Sequence, residues 1–369
     1  MASSASPVVV KAGYWFFGPD LNRKVAEIPS ELFTHLYAGF AVVEKDGHVN
    51  IPEPYSELFG DFSKTVRVRN HTVKTLLSIG GEGADLSAVV EKKSSRDNLI
   101  TDSIDLAKKF GFDGLDLCWL YPSKANQKEL LASLLNDWRS KLDSDFQKTK
   151  KPADNWLLTA AVFHHPGIPG TDGTITFDYP TQALSDNLDW INVLAIDFYT
   201  PSNSSEETGP VHAWKTRPMD MQNRCGSVGI QKWIDSWPDQ DVTNKLVLGL
   251  PFYGYKWILK NPNSFSGFFA AARPATNRLT PMAYKDIQEE LRGGTYETVY
   301  DKEYYAVYSH KINGADWIGY DDGLCIFQKV SNIDDKLGGY FAWRVGADDV
   351  NWTLSRSASE STPRPGANP

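Results

Sequence analysis

The sequence predicts an α/β protein built as a closed (β/α)8 TIM barrel with a small α+β insertion subdomain, and three observations carry that reading. Eight short apolar runs recur along the 369 residues. The intervals between them are long enough for a helix, and several carry apolar residues at helical spacing. Tight hairpin signals are few. Alternating strand and helix without hairpins argues for a parallel sheet, and eight repeats of the unit argue for closure into a barrel.

Taken in order, the first run is Val8 to Phe16, rich in β-branched and aromatic residues. Phe33 to Val43 follows, then Thr72 to Ile79, which ends in Gly80-Gly81. Gly114 to Trp119, Leu157 to Phe163, Trp190 to Tyr199, Leu246 to Tyr253 and Gly339 to Trp343 complete the set. Ser94 to Phe110 and Asn126 to Leu142 have the helical spacing. The stretch from Tyr253 to Gly339 is too long for one loop and one helix, and Tyr296 to Val307 reads as added strands, so the insertion is expected within 254–338. One barrel is therefore expected over 8–356. The polar, Pro-rich tail 357–369 is expected to be disordered.

Composition narrows the function classes. Apolar content of 41% and charged content of 23% suit a globular chain with a large core. A net charge of -8 disfavours nucleic acid as a partner. Cys118, Cys225 and Cys325 make no complete disulfide framework and no CxxC pair, so neither a metal nor another cofactor is expected. Met1 to Pro7 lacks the basic and long apolar segments of a signal peptide, and no stretch approaches the roughly 20 apolar residues of a membrane span. As given, the chain reads as cytoplasmic; it reads as secreted or vacuolar if a leader has been removed. Sequons stand at Asn70, Asn203 and Asn351. Twelve tryptophans and sixteen tyrosines offer flat faces of the kind that stack on sugars, although most aromatics in any chain are core.

Particular segments then become specific. Leu76-Leu77-Ser78-Ile79-Gly80-Gly81, Asp113-Gly114-Leu115-Asp116-Leu117-Cys118-Trp119-Leu120-Tyr121-Pro122, Ala195-Ile196-Asp197-Phe198-Tyr199, Leu248 to Gly254, Trp317 to Asp322 and Gly339-Tyr340-Phe341-Ala342-Trp343 occur in that order. Together they resemble the strand signatures of family 18 glycoside hydrolases, and most of all the plant class V chitinases and chitinase-related lectins. The resemblance implies a barrel whose fourth strand carries the catalytic segment DGxDxDWEYP. It assigns the places of Asp116, Cys118 and Leu120 to Asp, Asp and Glu. The Glu would be the general acid, and the middle Asp would orient the acetamido group that serves as internal nucleophile. Ile196 stands where the family has a Tyr that holds the acetamido oxygen.

Leu120 has no proton to give, and a cysteine is neutral at its unperturbed pKa of about 8.5. A positioned general acid is worth about 10²–10⁴ in rate, so hydrolysis is expected to fall to background. Glu82 and Asp197 are the only carboxylates near the expected mouth that offer a substitute acid. The resemblance also assigns Tyr14, Phe40, Asp116, Asp197, Tyr199, Trp257 and Trp343 to the ligand cleft, with Trp343 ending the eighth strand. The expectation is an inactive chitinase-like lectin for N-acetylglucosamine oligomers or N-glycans. The alternative is a repurposed barrel that binds or converts a more apolar, non-sugar plant metabolite. In that alternative His164 and His165 after the fifth strand or a nucleophilic Cys118 would supply chemistry, the plainer reading of the histidines being an exposed loop. A storage role has no positive mark in the sequence.

Overall fold

The computed structural model describes residues 9–20, 23–149, 156–170, 173–217, 224–238, 242–275, 280–333 and 337–361. Eight strands follow one another as β1 (Val10–Phe16), β2 (His35–Val43), β3 (Lys74–Gly80), β4 (Gly114–Cys118), β5 (Leu157–Phe163), β6 (Trp190–Leu194), β7 (Leu246–Pro251) and β8 (Gly339–Trp343). Their order in the sheet is β1-β8-β7-β6-β5-β4-β3-β2, and a further β1–β2 pairing closes it into a parallel barrel. A two-residue strand, Val49–Asn50, adds antiparallel to β2.

The strands are buried along nearly their whole length, as apolar runs covered on both faces should be. Helices supply the outer cover. Ser56–Arg67 (α1) turns Phe59, Phe62 and Val66 inward, and Lys93–Phe110 (α2) does the same with Leu99, Ile100, Ile104 and Ala107. These spacings of three and four residues are those of one helical face. Gln127–Thr149 (α3) follows β4. One backbone position is fixed by close approach: at Gly339, where φ is +143°, a Cβ would lie 1.9 Å from the Val10 carbonyl oxygen, so only glycine fits.

The chain divides into two compact units, 1–194 with 232–248 and 335–341, and 195–231 with 249–334 and 342–369. The second unit holds a six-stranded sheet formed within Tyr253–Tyr320, ordered Ala272–Pro274, Tyr253–Leu259, Asp316–Tyr320, Ala306–Lys311 and Tyr296–Asp301, with Met282–Ala283 pairing on Tyr253–Leu259. The helices Tyr284–Leu291 and Gly323–Ile333 belong to the same unit.

Two expectations need correction. The sixth strand stops at Leu194 instead of running to Tyr199, because Asp197 takes a left-handed backbone with φ +63° that no strand can hold. The chain from 357 does not begin a disordered tail: Ser357 to Glu360 lie in a helix, Thr353–Glu360, whose Leu354, Ser355 and Ala358 are buried. Residues 362–369 of that expected tail lie outside the described residues, as does Val8 of the first strand.

Candidate functional site

In the first unit the candidate chemistry gathers on one register row. Pairing places Ser78 of β3 beside Asp116 of β4, and Asp116 beside Thr159 of β5. Asp116 is fully buried. Its Oδ2 accepts from the Ser78 hydroxyl at 2.6 Å and the Tyr14 phenol at 2.9 Å, and its Oδ1 accepts from the Thr159 hydroxyl at 2.7 Å. The chain of donors continues outward. Asn192 Nδ2 donates to the Tyr14 oxygen at 2.8 Å, Tyr37 donates to Asn192 Oδ1 at a long 3.5 Å, and the Trp190 indole donates to Tyr37 at 3.0 Å. Every hydroxyl in this relay points its proton toward Asp116, the arrangement a buried carboxylate without a cation requires. Burial still pushes its pKa above the ordinary carboxylate value, with the Ser78, Thr159 and Tyr14 hydrogen bonds pulling the other way.

Cys118 ends β4 two residues further on. Its register neighbours are Gly80 and Ala161, which bring no polar side chain to it. Burial, and then the charge of Asp116, push the thiol well above its ordinary pKa, so it is neutral. A nucleophilic Cys118 therefore lacks the depressed pKa that such a role needs. Leu120 lies just past the strand and is buried. Glu82 is exposed after β3.

Tyr14 is a correction in kind. It is fully buried, its ring is stacked on Tyr37 at 4.2 Å and 11°, and its hydroxyl is spent on Asp116, so it offers no open face to a ligand. Phe40 is half-buried, 6.4 Å from Tyr14 and 4.8 Å from Phe16 by ring centroids. His164 and His165 are not an exposed loop. They pack on Phe163 at 4.0 and 5.0 Å, and burial lowers the pKa of His165 to about 4.

In the second unit a different arrangement surrounds Asp197, whose side chain is 35% exposed. Its backbone N–H donates to His212 Nδ1 at 3.1 Å, and the Tyr253 phenol donates to its Oδ1 at 2.9 Å. A non-glycine residue at φ +63° is strained by about 1–2 kcal/mol, and these two bonds hold it there. Because Nδ1 accepts, His212 carries its proton on Nε2, which faces the Tyr253 carbonyl oxygen at 3.2 Å. Burial, and then the Lys329 charge, hold the His212 pKa well below its ordinary value, so the ring is neutral. Lys329 in turn donates to the His212 carbonyl at 2.5 Å and to Asp321 Oδ2. Asp321 is pushed up to about 6 by burial against the pull of Lys329.

Trp343 ends β8 at 9% exposure, and its carbonyl accepts from the Phe252 N–H at 2.9 Å. Tyr199 is nearly enclosed. The Arg224 guanidinium lies 4.8 Å from its ring, and a Cβ on Gly209 would come within 2.4 Å of ring atoms, so that loop can pass the ring only as glycine. Ile196 is buried. Trp257 is a correction: it is fully buried, edge-on to Trp317 at 5.4 Å, with its indole N–H donated to the Ser204 carbonyl. It is core of the inserted sheet and cannot stack on a ligand.

Sequence reasoning missed Ser78, Thr159 and Asn192, and the signal was present as single polar residues inside apolar strands. It missed His212 and Lys329, whose role follows from folding alone. Among the described residues no cluster of three or more His, Cys, Asp or Glu is placed to hold a metal ion, and no helix is long and apolar enough to cross a membrane.

The sequence pattern of glycosyl hydrolases family 18 matches residues 8–348. The class V chitinase of Arabidopsis thaliana is 38% identical over 365 residues, spanning 97% of this chain and 91% of that protein. A mutant class V chitinase from Nicotiana tobaccum in complex with NAG4 superposes with a TM-score of 0.87 at 37% identity, over 96% of this chain and 99% of that one. The chitinase-like agglutinin of Robinia pseudoacacia superposes at 0.83 with 36% identity, over 95% and 99%.

Proposed function

The chain belongs to glycosyl hydrolase family 18, and from that premise we propose that it holds N-acetylglucosamine-containing oligosaccharides or N-glycans without cutting them, as a chitinase-like lectin. One observation carries the reading: past Asp116, β4 ends in a neutral, buried thiol and a buried leucine, where the family segment has an orienting Asp and an acid Glu. Asp116 itself is fully engaged, accepting hydrogen bonds from three buried hydroxyls. Ile196 replaces the phenol that would hold the acetamido oxygen. Loss of the acid alone is worth about 10²–10⁴ in rate, and loss of the oriented internal nucleophile adds several orders more.

What supports binding is the likeness to both cutting and holding relatives, one of them crystallised with a tetramer of N-acetylglucosamine and another described as an agglutinin. In the second unit this reading gives ligand contact to Asp197, half-exposed at the end of its loop, and to Trp343. Barrel proteins collect ligand groups at the C-terminal ends of their strands.

A second reading is favoured by the small, apolar surroundings of Cys118 and by Leu120. Apolar surface contributes about 25 cal/mol per Å² when covered, which suits a flat, non-sugar plant metabolite or the apolar aglycone of a glycoside. A glycan array paired with a thermal-shift screen of plant metabolites separates the two. Saturable binding of chitooligosaccharides or N-glycans supports the lectin. Stabilisation by aglycones alone, with no glycan bound, overturns it.

A further inference from the structure

The fold treats the three sequons differently, and the difference concerns a covalent modification. At Asn70 the side-chain amide is spent inside the protein. Its Nδ2 donates to the Ser30 and Phe33 carbonyls, both at 3.0 Å, and its Oδ1 accepts from the backbone N–H of Thr72 at 3.1 Å and from the Thr72 hydroxyl at 2.7 Å. Both amide hydrogens are therefore used, and Thr72, the residue that completes the sequon, is tied to the same oxygen. Replacing either hydrogen by a sugar breaks one of the bonds that pin this turn to the segment before β2.

Asn351 is the opposite case. It is exposed, and among the described residues its side-chain amide has no hydrogen-bond partner. Its backbone is nonetheless firmly placed: the N–H donates to Asp349 Oδ1 at 3.0 Å and the carbonyl accepts from Arg356 Nε at 3.0 Å. Asp349 also takes the Thr353 N–H and hydroxyl, while Asp348 takes the N–H groups of Leu354 and Ser355. The turn that presents Asn351 is thus held by neighbours that a glycan would leave untouched. Next to it Val350 is 73% exposed, so space is open on that side. Asn203 lies between the two: exposed, but with its Nδ2 turned to the Asp197 and Phe198 carbonyls at 3.4 and 3.5 Å and its Oδ1 taking the Thr200 N–H at 2.8 Å.

We propose that Asn351 is the position at which this chain carries an N-linked glycan, and that the folded protein excludes one at Asn70. The co-reactant is an oligosaccharide bound through its reducing-end N-acetylglucosamine to a polyprenyl pyrophosphate. The Asn351 Nδ2–C1 bond forms, the C1–O bond to pyrophosphate breaks, the lipid pyrophosphate leaves, and one amide proton passes to a base of the transferring enzyme.

The test is to express the full chain behind a secretion leader in a glycosylating host, purify the folded, secreted protein, and map occupancy by peptide mass with and without amidase removal of glycans in oxygen-18 water. Expected is a glycan on Asn351, lost as one glycan mass in Asn351→Gln, with Asn70 unmodified. Asn351→Gln should melt within a few degrees of the parent, whereas Asn70→Gln should melt clearly lower, because only Asn70 has an internal role. A secreted, folded protein that carries a glycan on Asn70, or none on Asn351, overturns the proposal.

Discussion

Asp116 and Asp197 are both carboxylates in motifs of the same barrel family, yet the protein uses them in opposite ways. Asp116 is fully buried, and three hydroxyls donate hydrogen bonds to it. Asp197 is over a third exposed, accepts from the Tyr253 phenol, and has a neutral histidine beneath its backbone N–H. The difference is one of access: Asp116 is enclosed by hydroxyl donors, whereas Asp197 keeps part of its side chain open to solvent.

The largest expected effect sharpens that contrast. Asp116→Ala leaves the Ser78, Thr159 and Tyr14 hydroxyls buried without an acceptor and should cost about 3–5 kcal/mol of stability by denaturant unfolding. Asp197→Ala should cost under about 1 kcal/mol of stability, since its side chain is partly solvated, yet should lose about 1.5–3 kcal/mol of affinity for a bound oligosaccharide. Equal stability losses in the two variants would break the comparison.

Trp343→Ala comes next. If Trp343 serves as an aromatic platform for a ligand, its truncation should weaken oligosaccharide binding by about 1–3 kcal/mol, roughly 5- to 150-fold. Unchanged affinity together with a steep fall in stability would make Trp343 a core residue.

The histidine beneath Asp197 sets a smaller, pH-dependent effect. His212 is neutral in the fold with its pKa held well below the ordinary value, whereas in the unfolded chain it takes a proton near pH 6.5. The unfolded state therefore binds more protons below that point, so this contribution is complete above about pH 6.5 and is lost as pH falls. Between pH 7 and pH 5 it amounts to about 1–2 kcal/mol. His212→Asn, which keeps an acceptor for the Asp197 N–H, should flatten the stability profile by that amount; a profile parallel to the parent's would contradict the assignment.

The barrel was legible because apolar runs and helical intervals follow directly from burying a parallel sheet. Where the reading overran, at 195–199, the cause was a left-handed residue inside an apolar stretch, which hydrophobicity does not register. Trp257 was misplaced for a related reason: a tryptophan looks alike in sequence whether it faces a ligand or packs edge-on against Trp317. The polar network around Asp116 depends on register among six strands, β1 to β6, which no local pattern encodes. The Ser-Ala-Ser-Glu stretch read as tail is helical because Asp348 and Asp349 cap the turn before it.

The smallest expected effect is a near absence of one. Leu120→Glu alone should restore little cleavage, because Cys118 and Ile196 would still leave an acetamido group unheld, and adding Cys118→Asp and Ile196→Tyr should bring cleavage of chitooligosaccharides above background. A triple variant that still cuts nothing would mean that more than these three side chains separates this chain from its hydrolysing relatives.

The most direct test of the account follows binding and cleavage in one sample. The purified protein is titrated with a hexamer of N-acetylglucosamine by calorimetry, and the recovered ligand is then analysed by mass after long incubation. Saturable binding with the hexamer recovered intact is the result predicted. Shorter oligomers appearing at a rate within about tenfold of an active plant class V chitinase assayed alongside, and persisting through repurification, would contradict it, because the absence of a general acid proposed at Leu120 predicts a larger deficit than that.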